Sequence, residues 1–310
     1  MKTGGGILVV GSLNMDMVIE MKQLPDIGET VLGRKLSYVP GGKGANQACA
    51  VGKLGGNVRM LGCVGQDTFG CQQLQNLREN QVDTDAIYQV SQKPTGTAVI
   101  YVNEQGDNSI VVVAGANETC DKEYLKENDR HFREAAFVMV QMEIPGDAVF
   151  YSIQRAKELG KVTVLNPAPA PDTLPEQILE QIDYLTPNET ELMKLCGYSR
   201  LSEENIRKGA RMLLSKGVKN VLVTLGDKGV FLVNENQETL FPARRVQAVD
   251  TTAAGDCFNG AFVTALAENR SIEEAARFAN MASSIAVTRK GAQSSIPNRE
   301  EVDRLKYQEK

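Results

Sequence analysis

The sequence is poor in histidine, and this scarcity excludes several common kinds of active site. Its 310 residues include one histidine, His131, which lies between Arg130 and Phe132 in a polar segment. Catalytic triads that need a histidine and zinc sites built on several histidines are therefore nearly excluded. Nothing near His131 in the sequence offers it a chemical partner, so we interpret it as a surface residue.

Other missing features limit the class of protein further. The six cysteines are scattered without a C-x-x-C pair, and the N-terminus lacks the basic-then-apolar plan of a signal peptide. No apolar run approaches the length of a membrane span. The net charge of −5 gives no support for binding nucleic acid or an anionic membrane. We therefore expect a cytoplasmic protein with neither kind of partner.

The patterning that is present predicts a large α/β fold. From residue 58 onward, short apolar runs alternate with amphipathic helical segments. This alternation predicts a doubly wound, largely parallel sheet with helices on both faces. Predicted strands lie at 6–11, 58–64, 137–142, 162–165, 182–185, 220–224 and 229–233. Predicted helices lie at 68–79, 121–134, 147–159, 189–195, 203–216, 256–268, 272–288 and 300–305.

Four extended segments lack crossover helices between them and predict a second, small sheet. They are 15–21, 30–39, 97–103 and 108–113, with a hairpin connection at 104–107. We expect a single α/β domain, 1–310, in which this sheet forms a discontinuous lid at about 15–40 and 96–114. A lid is one way to exclude water from a transferring group.

The lid strands carry more apolar side chains than one face of a sheet can cover. These side chains include Met15, Met17, Ile19, Val99 and Tyr101. We therefore expect lid-to-lid pairing in a homodimer. The alternative is that the lid packs only on its own main domain.

The stretch Asp250-Thr-Thr-Ala-Ala-Gly-Asp256 combines small residues with two carboxylates and precedes an apolar helical pattern. Small residues let the backbone approach a ligand, and the start of a helix directs unpaired N–H groups at it. The natural guest is an anion such as a phosphate in transfer, while Asp256 can take a proton from an attacking hydroxyl. The alternative is that Asp250 or Asp256 merely caps the helix.

A second stretch, Pro40-Gly-Gly-Lys-Gly-Ala-Asn46, also opens a helix. It is not a Walker loop, because the spacing G-x-x-x-x-G-K-[ST] is missing. Its glycines let the chain pass close to a small polyol, and Lys43 and Asn46 can bond hydroxyls or neutralise phosphate. The alternative is a glycine-rich turn with a helix cap.

Polar side chains recur where the predicted strands end, which is where open α/β sheets bind ligands. They are Asn14 and Asp16, Glu143, and the stretches 166–171, 186–191 and 224–229. We expect them to converge on one edge of the sheet. The alternatives are local structures: an Asx turn for Asn14 and Asp16, a capping box for Asn188 with Glu191, and a simple turn at 224–229.

With these residues assembled, the chain resembles the ribokinase-type family of ATP-dependent carbohydrate kinases over nearly its whole length. The motifs 41–46 and 250–256 carry the resemblance, and 14–16, 166–169, 186–191 and 287–292 support it. The resemblance implies transfer of phosphate from ATP to the primary 5-hydroxyl of D-ribose, with Mg²⁺ and K⁺ as cofactors.

The resemblance also implies a role for each matching position. The sugar would be held by Asn14, Met15, Asp16, Gly42, Lys43, Gly44, Ala45, Asn46 and Glu143. Asp256 would be the general base, beside an anion hole of backbone N–H groups from Ala253, Ala254 and Gly255. The nucleotide would be bound by Asn188, Thr224, Leu225, Gly226, Asp227, Lys228, Gly229, Gly255 and Asn280. Glu191 would hold Mg²⁺ through water, and a monovalent cation would lie among Asp250, Thr252, Ala286, Arg289, Gly291 and Ser295.

Three rival functions stand beside this interpretation. A dinucleotide-binding oxidoreductase needs G-x-G-x-x-G opening a helix, which is missing after Gly11. A sugar-binding protein without activity predicts loss of the base, yet Asp256 is present. A kinase of another sugar or nucleoside stays open, because specificity depends on a few polar contacts. For the cation site, the alternative is that Asp250 caps its turn while Arg289 and Lys290 are solvated charges at a helix end.

Overall fold

The computed structural model describes residues 5–308, with side chains described as far as residue 305. In chain order the strands are β1 (Ile7–Val10), β2 (Asn14–Met21), β3 (Gly33–Gly41), β4 (Val58–Leu61), β5 (Cys63–Gly65), β6 (Tyr88–Val90), β7 (Gly96–Val102), β8 (Asn108–Val113), β9 (Phe137–Val140), β10 (Val162–Leu165), β11 (Tyr184–Leu185), β12 (Asn220–Thr224), β13 (Val230–Asn234) and β14 (Glu238–Phe241).

The helices are α1 (Lys43–Lys53), α2 (Thr68–Glu79), α3 (Lys122–Glu127), α4 (Asp129–Glu134), α5 (Gly146–Glu158), α6 (Glu176–Leu179), α7 (Glu189–Cys196), α8 (Glu203–Ser215), α9 (Ala254–Ala267), α10 (Ile272–Ala286) and α11 (Arg299–Gln308). Short 3₁₀ turns occur at Gly115–Thr119 and Gly226–Lys228. No helix among the described residues is long and apolar enough to cross a membrane.

The main sheet has eight strands in the order β14-β13-β12-β11-β10-β9-β1-β4. Neighbouring strands from β12 to β4 pair in parallel, whereas β13 and β14 pair antiparallel. Because successive side chains of a strand point to opposite faces, Ile7 and Val9 enter one hydrophobic core while Leu8 and Val10 enter another. A core on each face confirms the predicted doubly wound fold.

The small sheet has four strands in the order β3-β2-β7-β8, and it is separate from the main sheet. Asn14, the first residue of β2, pairs with Gly41 on one side and Gly96 on the other. Only three residues separate β1 from β2, so this row of the small sheet lies directly beside the end of a main-sheet strand. The predicted hairpin is the connection between β7 and β8.

Two predicted elements prove to be divided. The predicted strand 58–64 splits into β4 and β5, because the chain passes too close to its neighbours at Gly62 for a side chain. A Cβ there would lie 2.4 Å from the Cδ1 atom of Leu13. The predicted helix 121–134 is two helices, α3 and α4, which break at Asn128, whose side-chain amide donates to the carbonyl of Tyr124 at 2.9 Å.

The interpretation of His131 as a surface residue was wrong. Its side chain is only 4% exposed, and Nη1 of Arg59 lies 2.7 Å from its Nδ1. Arg59 in turn forms ion pairs with Asp83 at 2.7 Å and with Glu134 at 2.6 Å. Arg59 lies on β4, 72 residues before His131, so the sequence around His131 gave no sign of this contact. We call these four residues the Arg59 cluster.

Candidate active site

The turn before α9 is built from small residues and brings the backbone into open space. Ala253 caps the helix in a left-handed conformation, with φ of 58° and ψ of 13°. That conformation costs an alanine on the order of 1 kcal/mol relative to glycine. The N–H of Ala254 donates to the carbonyl of Thr251 at 3.2 Å, whereas nothing lies within 4 Å of the place where a Cβ of Gly255 would be. A ligand therefore has room to approach at Gly255.

Asp256 lies in the first turn of α9 and is 6% exposed. Its Oδ2 accepts a hydrogen bond from Nδ2 of Asn46 at 2.9 Å, and its Oδ1 accepts one from Nε2 of Gln47 at 3.0 Å. Burial raises the pKa of Asp256, although Lys43 and the two amide donors oppose the rise. The two motifs that the sequence singled out therefore meet at this carboxylate.

Close packing of α1 against α9 produces this meeting. A Cβ on Gly260 of α9 would lie 2.5 Å from the Cβ of Ala50 and 2.8 Å from the carbonyl oxygen of Gln47. Only glycine lets the two helices approach so closely. The short side chains of Asn46 and Gln47 can then reach Asp256.

Glu143 fixes the start of α1 to the end of β1. One of its carboxylate oxygens accepts from the hydroxyl of Ser12 at 2.6 Å and from the backbone N–H of Lys43 at 3.0 Å. The residue before the helix, Gly42, has φ of 88°, and a Cβ on it would lie 2.7 Å from the backbone nitrogen of Asn14. The predicted strand-end groups Asn14 and Glu143 are therefore held around the glycine turn.

Asp16 carries an unusual protonation equilibrium for a carboxyl. Its pKa is raised to about 7, first by burial and then by the negative charges of Glu143 and Asp256, with Lys43 opposing. For Lys43, burial lowers the pKa, but Asp256, Glu143, Glu191 and Asp16 outweigh burial and the pKa is raised. Four carboxylates thus share one ammonium group, and the site is strongly acceptor-rich.

The buried amide of Asn14 depends on partners that the sequence interpretation missed. Its Oδ1 accepts from Nδ2 of Asn117 at 2.7 Å, and its backbone carbonyl accepts from the side chain of Gln73. Nε2 of Gln73 also donates to the carbonyl of Gly41 at 3.1 Å. Among the described residues, Oδ1 of Asn46 has no hydrogen-bond partner although it is buried. That atom is an acceptor available to a ligand hydroxyl.

The predicted nucleotide residues fall into two groups. Asn188 forms an isolated bridge with Thr224, which is followed by the tight turn of residues 225–229. Asn188 and Glu191 form the capping box of α7, with both reciprocal hydrogen bonds at 2.8 Å, so the capping alternative is present in the fold. Asn280 lies on α10 and its Nδ2 donates to the carbonyl of Phe241 at 2.9 Å.

Glu191 belongs to the electrostatic environment of the base. Burial raises its pKa, and the charge of Asp256 adds to the rise, while the backbone N–H of Asn188 and the charge of Lys43 oppose it. A capping carboxylate would usually be stabilised in its charged form at a helix start. Here burial and the charge of Asp256 raise the pKa of Glu191 by more than the helix start lowers it.

The two segments predicted to hold a monovalent cation lie side by side. One oxygen of Asp250 accepts from the N–H of Thr252 and the other from the N–H of Gly291, each at 2.9 Å. The N–H of Val249 donates to the carbonyl of Val287, just beyond the last residue of α10, Ala286. The guanidinium of Arg289 is paired with Glu301, and the hydroxyl of Ser295 donates to the carbonyl of Ala292 at 2.8 Å. These side chains are therefore occupied by hydrogen bonds and an ion pair within the loop and with α11.

Gln47 and Gln141 are further polar residues of the site that sequence reasoning did not select. Gln47 directly follows the 41–46 motif, and Gln141 is the first residue after β9. Gln141 lay inside the predicted strand 137–142, so the rule that polar residues at strand ends converge selected Glu143 and passed over Gln141. Nothing in the spacing marks Gln47, because an amide in a buried helix has no distinct pattern.

Comparison with known proteins decides the family. A family profile described as pfkB family carbohydrate kinase matches residues 6–299. The chain belongs to this family. The ribokinase of Haemophilus influenzae is 42% identical over 295 residues, covering 95% of this chain and 96% of that protein. The ribokinase of Bacillus subtilis is 42% identical, covering 96% of this chain and 98% of that protein.

Solved structures of pfkB carbohydrate kinases share the fold. The ribokinase of Thermotoga maritima is 41% identical with a TM-score of 0.89, and the match covers 98% of this chain and 99% of that chain. A ribokinase of Arabidopsis thaliana, solved with ribose and ATP, is 35% identical with a TM-score of 0.89 and 98% coverage of both chains. A deoxyribokinase of Salmonella typhi is also similar, at 36% identity over 95% of this chain.

Proposed function

We propose that this chain transfers the γ-phosphoryl group of ATP to the 5-hydroxyl of D-ribose, giving ribose 5-phosphate and ADP. The observation that carries the proposal is the buried carboxylate of Asp256, held at the start of α9 by Asn46 of the second motif. Identity of about 40% with ribokinases over 95% of the chain supports ribose and ATP as the substrates.

Asp256 is the general base of the transfer. It accepts the proton of the 5-hydroxyl while that oxygen forms a bond to the γ-phosphorus and the bond from phosphorus to the β–γ bridging oxygen breaks. ADP leaves with the electron pair of the broken bond. Burial raises the pKa of Asp256, which strengthens it as a proton acceptor, and Lys43, Asn46 and Gln47 oppose the rise.

The sugar is held by acceptor groups on both sides of the glycine turn. Asp16 and Asn14 extend from the small sheet, and the unpartnered Oδ1 of Asn46 accepts a hydroxyl. Lys43 adds a donor and partly offsets the surrounding carboxylates. Glu143 acts mainly by holding the start of α1, since one of its oxygens is already bound to Ser12 and Lys43.

The phosphates lie at the N-terminus of α9 and the nucleotide extends toward α7 and α10. Gly255 leaves open space for a phosphate, and the N–H groups of Ala253 and Gly255 supply donors at the positive end of the helix dipole, while that of Ala254 is bonded to the carbonyl of Thr251 until the phosphate binds. The ATP site is completed by Asn188, Thr224, Leu225, Gly226, Asp227, Lys228, Gly229 and Asn280.

The carboxylate of Glu191 suits Mg²⁺ held through water. The described residues contain no group of three or more His, Cys, Asp or Glu side chains that would form a metal cage. Mg²⁺ at kinase sites needs no such cage, because one or two carboxylates and the substrate phosphates hold it. When bound, it neutralises charge on the phosphates. Asn188 and the N–H groups of α7 keep Glu191 oriented for this contact.

A monovalent cation, K⁺, fits between the turn after Asp250 and the loop at 287–292. The C-terminal end of α10 exposes carbonyls, which favour cations. Ala286, Arg289, Gly291, Ser295 and Thr252 supply the surrounding backbone and hydroxyl groups. Such an ion fixes the conformation of the turn of Ala253 and Gly255. Its charge does not act directly on the phosphate.

The small sheet acts as a lid, and two lids pair in a homodimer. Met15 does not contribute as the sequence led us to expect, because it is 1% exposed. The apolar surface lies instead on β8, where Ile110, Val111, Val112 and Val113 are each more than 50% exposed. An exposed apolar edge strand favours pairing with another chain. Light scattering at micromolar concentration should give twice the monomer mass; a monomeric mass would contradict the dimer.

The site of action is the cytoplasm, which the cysteine chemistry supports. All six cysteines are free, and the thiols of Cys49, Cys63, Cys120 and Cys257 are buried. Free thiols persist where the compartment is reducing. Fractionation of cells followed by the kinase assay would place the activity elsewhere if this proposal were wrong.

Release of ADP from ATP across a panel of acceptors tests the proposed function. The panel contains ribose, deoxyribose, hexoses and nucleosides, each at saturating MgATP. We expect the highest kcat/KM with ribose. Turnover of another acceptor without turnover of ribose would overturn the acceptor while keeping the kinase, and it is the expected outcome of the alternative in which another sugar or nucleoside is the substrate.

A further inference from the structure

A chain of buried side-chain amides lies behind the catalytic carboxylate. Nε2 of Gln47 lies 3.0 Å from Oδ1 of Asp256 and 3.1 Å from Oδ1 of Asn166. Oε1 of Gln47 accepts from Nε2 of Gln141 at 2.7 Å, and Nδ2 of Asn166 donates to the backbone carbonyl of Thr186 at 2.9 Å. Gln47, Gln141 and Thr186 are 1% exposed or less, so water does not compete for these bonds.

The direction of every hydrogen bond in this chain is fixed. A backbone carbonyl can only accept, so Thr186 requires the NH₂ group of Asn166 to face it. Oδ1 of Asn166 must then face Gln47, which requires the NH₂ group of Gln47 in turn. The two hydrogens of that group serve Asn166 and Asp256, one each. The carbonyl of Thr186, directly after β11, therefore fixes the direction of the hydrogen bonds up to Gln47, which presents an N–H donor to Asp256.

Gln141 holds the other end of the Gln47 amide. Rotating the Gln47 amide by half a turn would place its oxygen against the oxygens of Asp256 and Asn166, so these two residues fix its direction and Gln141 donates to the oxygen that remains. The contact depends on Gly11, because a Cβ there would lie 2.1 Å from Oε1 of Gln141. Among the described residues, that oxygen has no hydrogen-bond partner, so the Gln141 amide bonds through its NH₂ group to Gln47.

We propose that Gln47 is a positioning residue for the reaction, oriented by Gln141 and Asn166 so that Asp256 stays ionised and aimed at the attacking hydroxyl. The proposal rests on the proposed role of Asp256 as base. Gln47 is only 1% exposed, so it acts on the reaction through Asp256 and does not touch the sugar. Its effect is confined to the turnover step.

The amide donor has a definite electrostatic effect on the base. A hydrogen bond to the charged form of a carboxylate favours that form, so Gln47 lowers the pKa of Asp256 against the rise caused by burial. Losing the donor raises the pKa further and leaves fewer molecules with an ionised base at a given pH. The other charged groups that face Asp256 are Lys43 of α1, Glu143 after β9, Asp16 of β2 and Glu191 of α7.

The test compares kcat and KM for ribose across pH in wild type, Gln47→Leu, Gln47→Glu and Gln141→Met. In Gln47→Leu we expect kcat to fall about 10- to 100-fold with little change in KM. The acid limb of the kcat profile should move upward by about one pH unit. Gln47→Glu keeps the shape but sets a carboxylate oxygen against the carboxylate of Asp256 and the amide oxygen of Asn166, so its loss should be at least as large. Gln141→Met should shift the limb in the same direction by less.

Thr264→Val is the matched control. Thr264 is 1% exposed on the same helix as Asp256, and its hydroxyl donates only to the carbonyl of Gly260 at 2.7 Å. The substitution removes a buried hydrogen bond without touching the amide chain, so its pH profile should match that of wild type. Titration of Asp16 or of ATP is common to all variants and cancels in the comparison.

Several outcomes would overturn the inference. An unchanged acid limb in Gln47→Leu would do so even if kcat fell, as would a raised KM at constant kcat. Should the Gln47 variants fail to fold, an unchanged limb in Gln141→Met would decide against it. An active Asp256→Asn enzyme would remove the proposed base itself. An inactive Asp256→Asn with an unshifted Gln47→Leu would remove only the role of Gln47.

Discussion

Two groups of buried and half-buried charges lie at opposite ends of the parallel strands, and they are built on different rules. In the Arg59 cluster, the carboxylates of Asp83 and Glu134 bond directly to one guanidinium. At the active site, Asp16, Asp256 and two glutamates share the single ammonium of Lys43 without a direct ion pair to it among the described residues. One cluster is complete by itself, whereas the other lacks donors that a ligand can supply.

The carboxyl pKa values differ between the two groups of charges in the same way. For Asp83, burial raises the pKa, but the backbone N–H of Asp85 and the side chain of Arg59 outweigh burial and the pKa is lowered. For Asp16, no donor outweighs burial, and the pKa rises to about 7. Perturbation upward by unrelieved burial and like charge is typical of functional carboxylates. The direction of the pKa shift therefore differs between Asp83 of the Arg59 cluster and Asp16 of the candidate site.

The largest effect should come from Asp256→Asn. The variant keeps the shape of the side chain but removes the proton acceptor, so kcat should fall by about 10²- to 10⁴-fold. Ribose and ATP affinities should change little, because neither substrate depends on that proton transfer for binding. Steady-state kinetics and calorimetric titration measure the two quantities. Near-wild-type turnover would show that the unbalanced cluster is not the catalytic one.

Asp16→Asn should impair catalysis and stabilise the ligand-free protein at the same time. With the sugar contact weakened, kcat/KM for ribose should fall about 100-fold. Because the folded pKa of about 7 exceeds the ordinary value of 3.8, folding is penalised as pH rises through 7, and the variant lacks this penalty. The melting temperature at pH 8 should therefore rise by about 2–4 °C, with no rise at pH 4. A lower melting temperature at pH 8 would contradict the comparison.

Asp250 is an exception to the division between lowered carboxyl pKa values in the Arg59 cluster and raised ones at the candidate site, and Asp250→Ala tests it. Asp250 lies at the site, yet its pKa is lowered, since hydrogen bonds from Thr252 and Gly291 outweigh burial. We expect it to act through loop geometry, with K⁺ raising kcat about tenfold in wild type and not in the variant. The assay replaces K⁺ by Na⁺ or a bulky organic cation at constant ionic strength. Equal turnover of wild type in all three would contradict cation activation.

The smallest effect should come from Asp83→Asn, in stability alone. Because the folded pKa lies below the ordinary value, the carboxylate stabilises the protein above about pH 4, and this contribution is lost as pH falls through the folded pKa. The variant should lose about 1 kcal/mol at pH 7 and less at pH 3. Denaturant unfolding at both pH values measures this loss, and kcat should be unchanged. A changed kcat would mean that the Arg59 cluster also serves catalysis.

The layered fold could be predicted because its signal is local and repeated. Runs such as Ile7–Val10 are apolar throughout, as a strand covered on both faces must be, and amphipathic helices separate them. The break between β4 and β5 could not be predicted, since the close packing of Gly62 against Leu13 joins residues that are far apart in the sequence. His131 was misjudged for the same reason, because Arg59 reaches it from 72 residues away.

The site could be predicted only where chemistry leaves a pattern in the chain. Asp256 and Asn46 stand in stretches with unusual glycine and alanine content, so they were found, and the fold brings them within 2.9 Å. Gln47 and Gln141 are separated by 94 residues, and an amide is common enough that neither attracts notice alone. Their pairing follows from β9 ending beside α1, which is a property of the assembled sheet.

Gly41, Asn14 and Gly96 form one row across the small sheet, beside the end of β1. If the small sheet rotated about this row, residues far from it would move more than residues near it. Asp16 stands two residues along β2 from that row, about 7 Å at the usual strand rise, while Met21 stands about 23 Å away. A rotation of about 10° about the row would move Asp16 by about 1 Å and the far end of β2 by about 4 Å. Under such a rotation the outer edge of the small sheet would move widely, while Asp16 would stay nearly in register with Asp256.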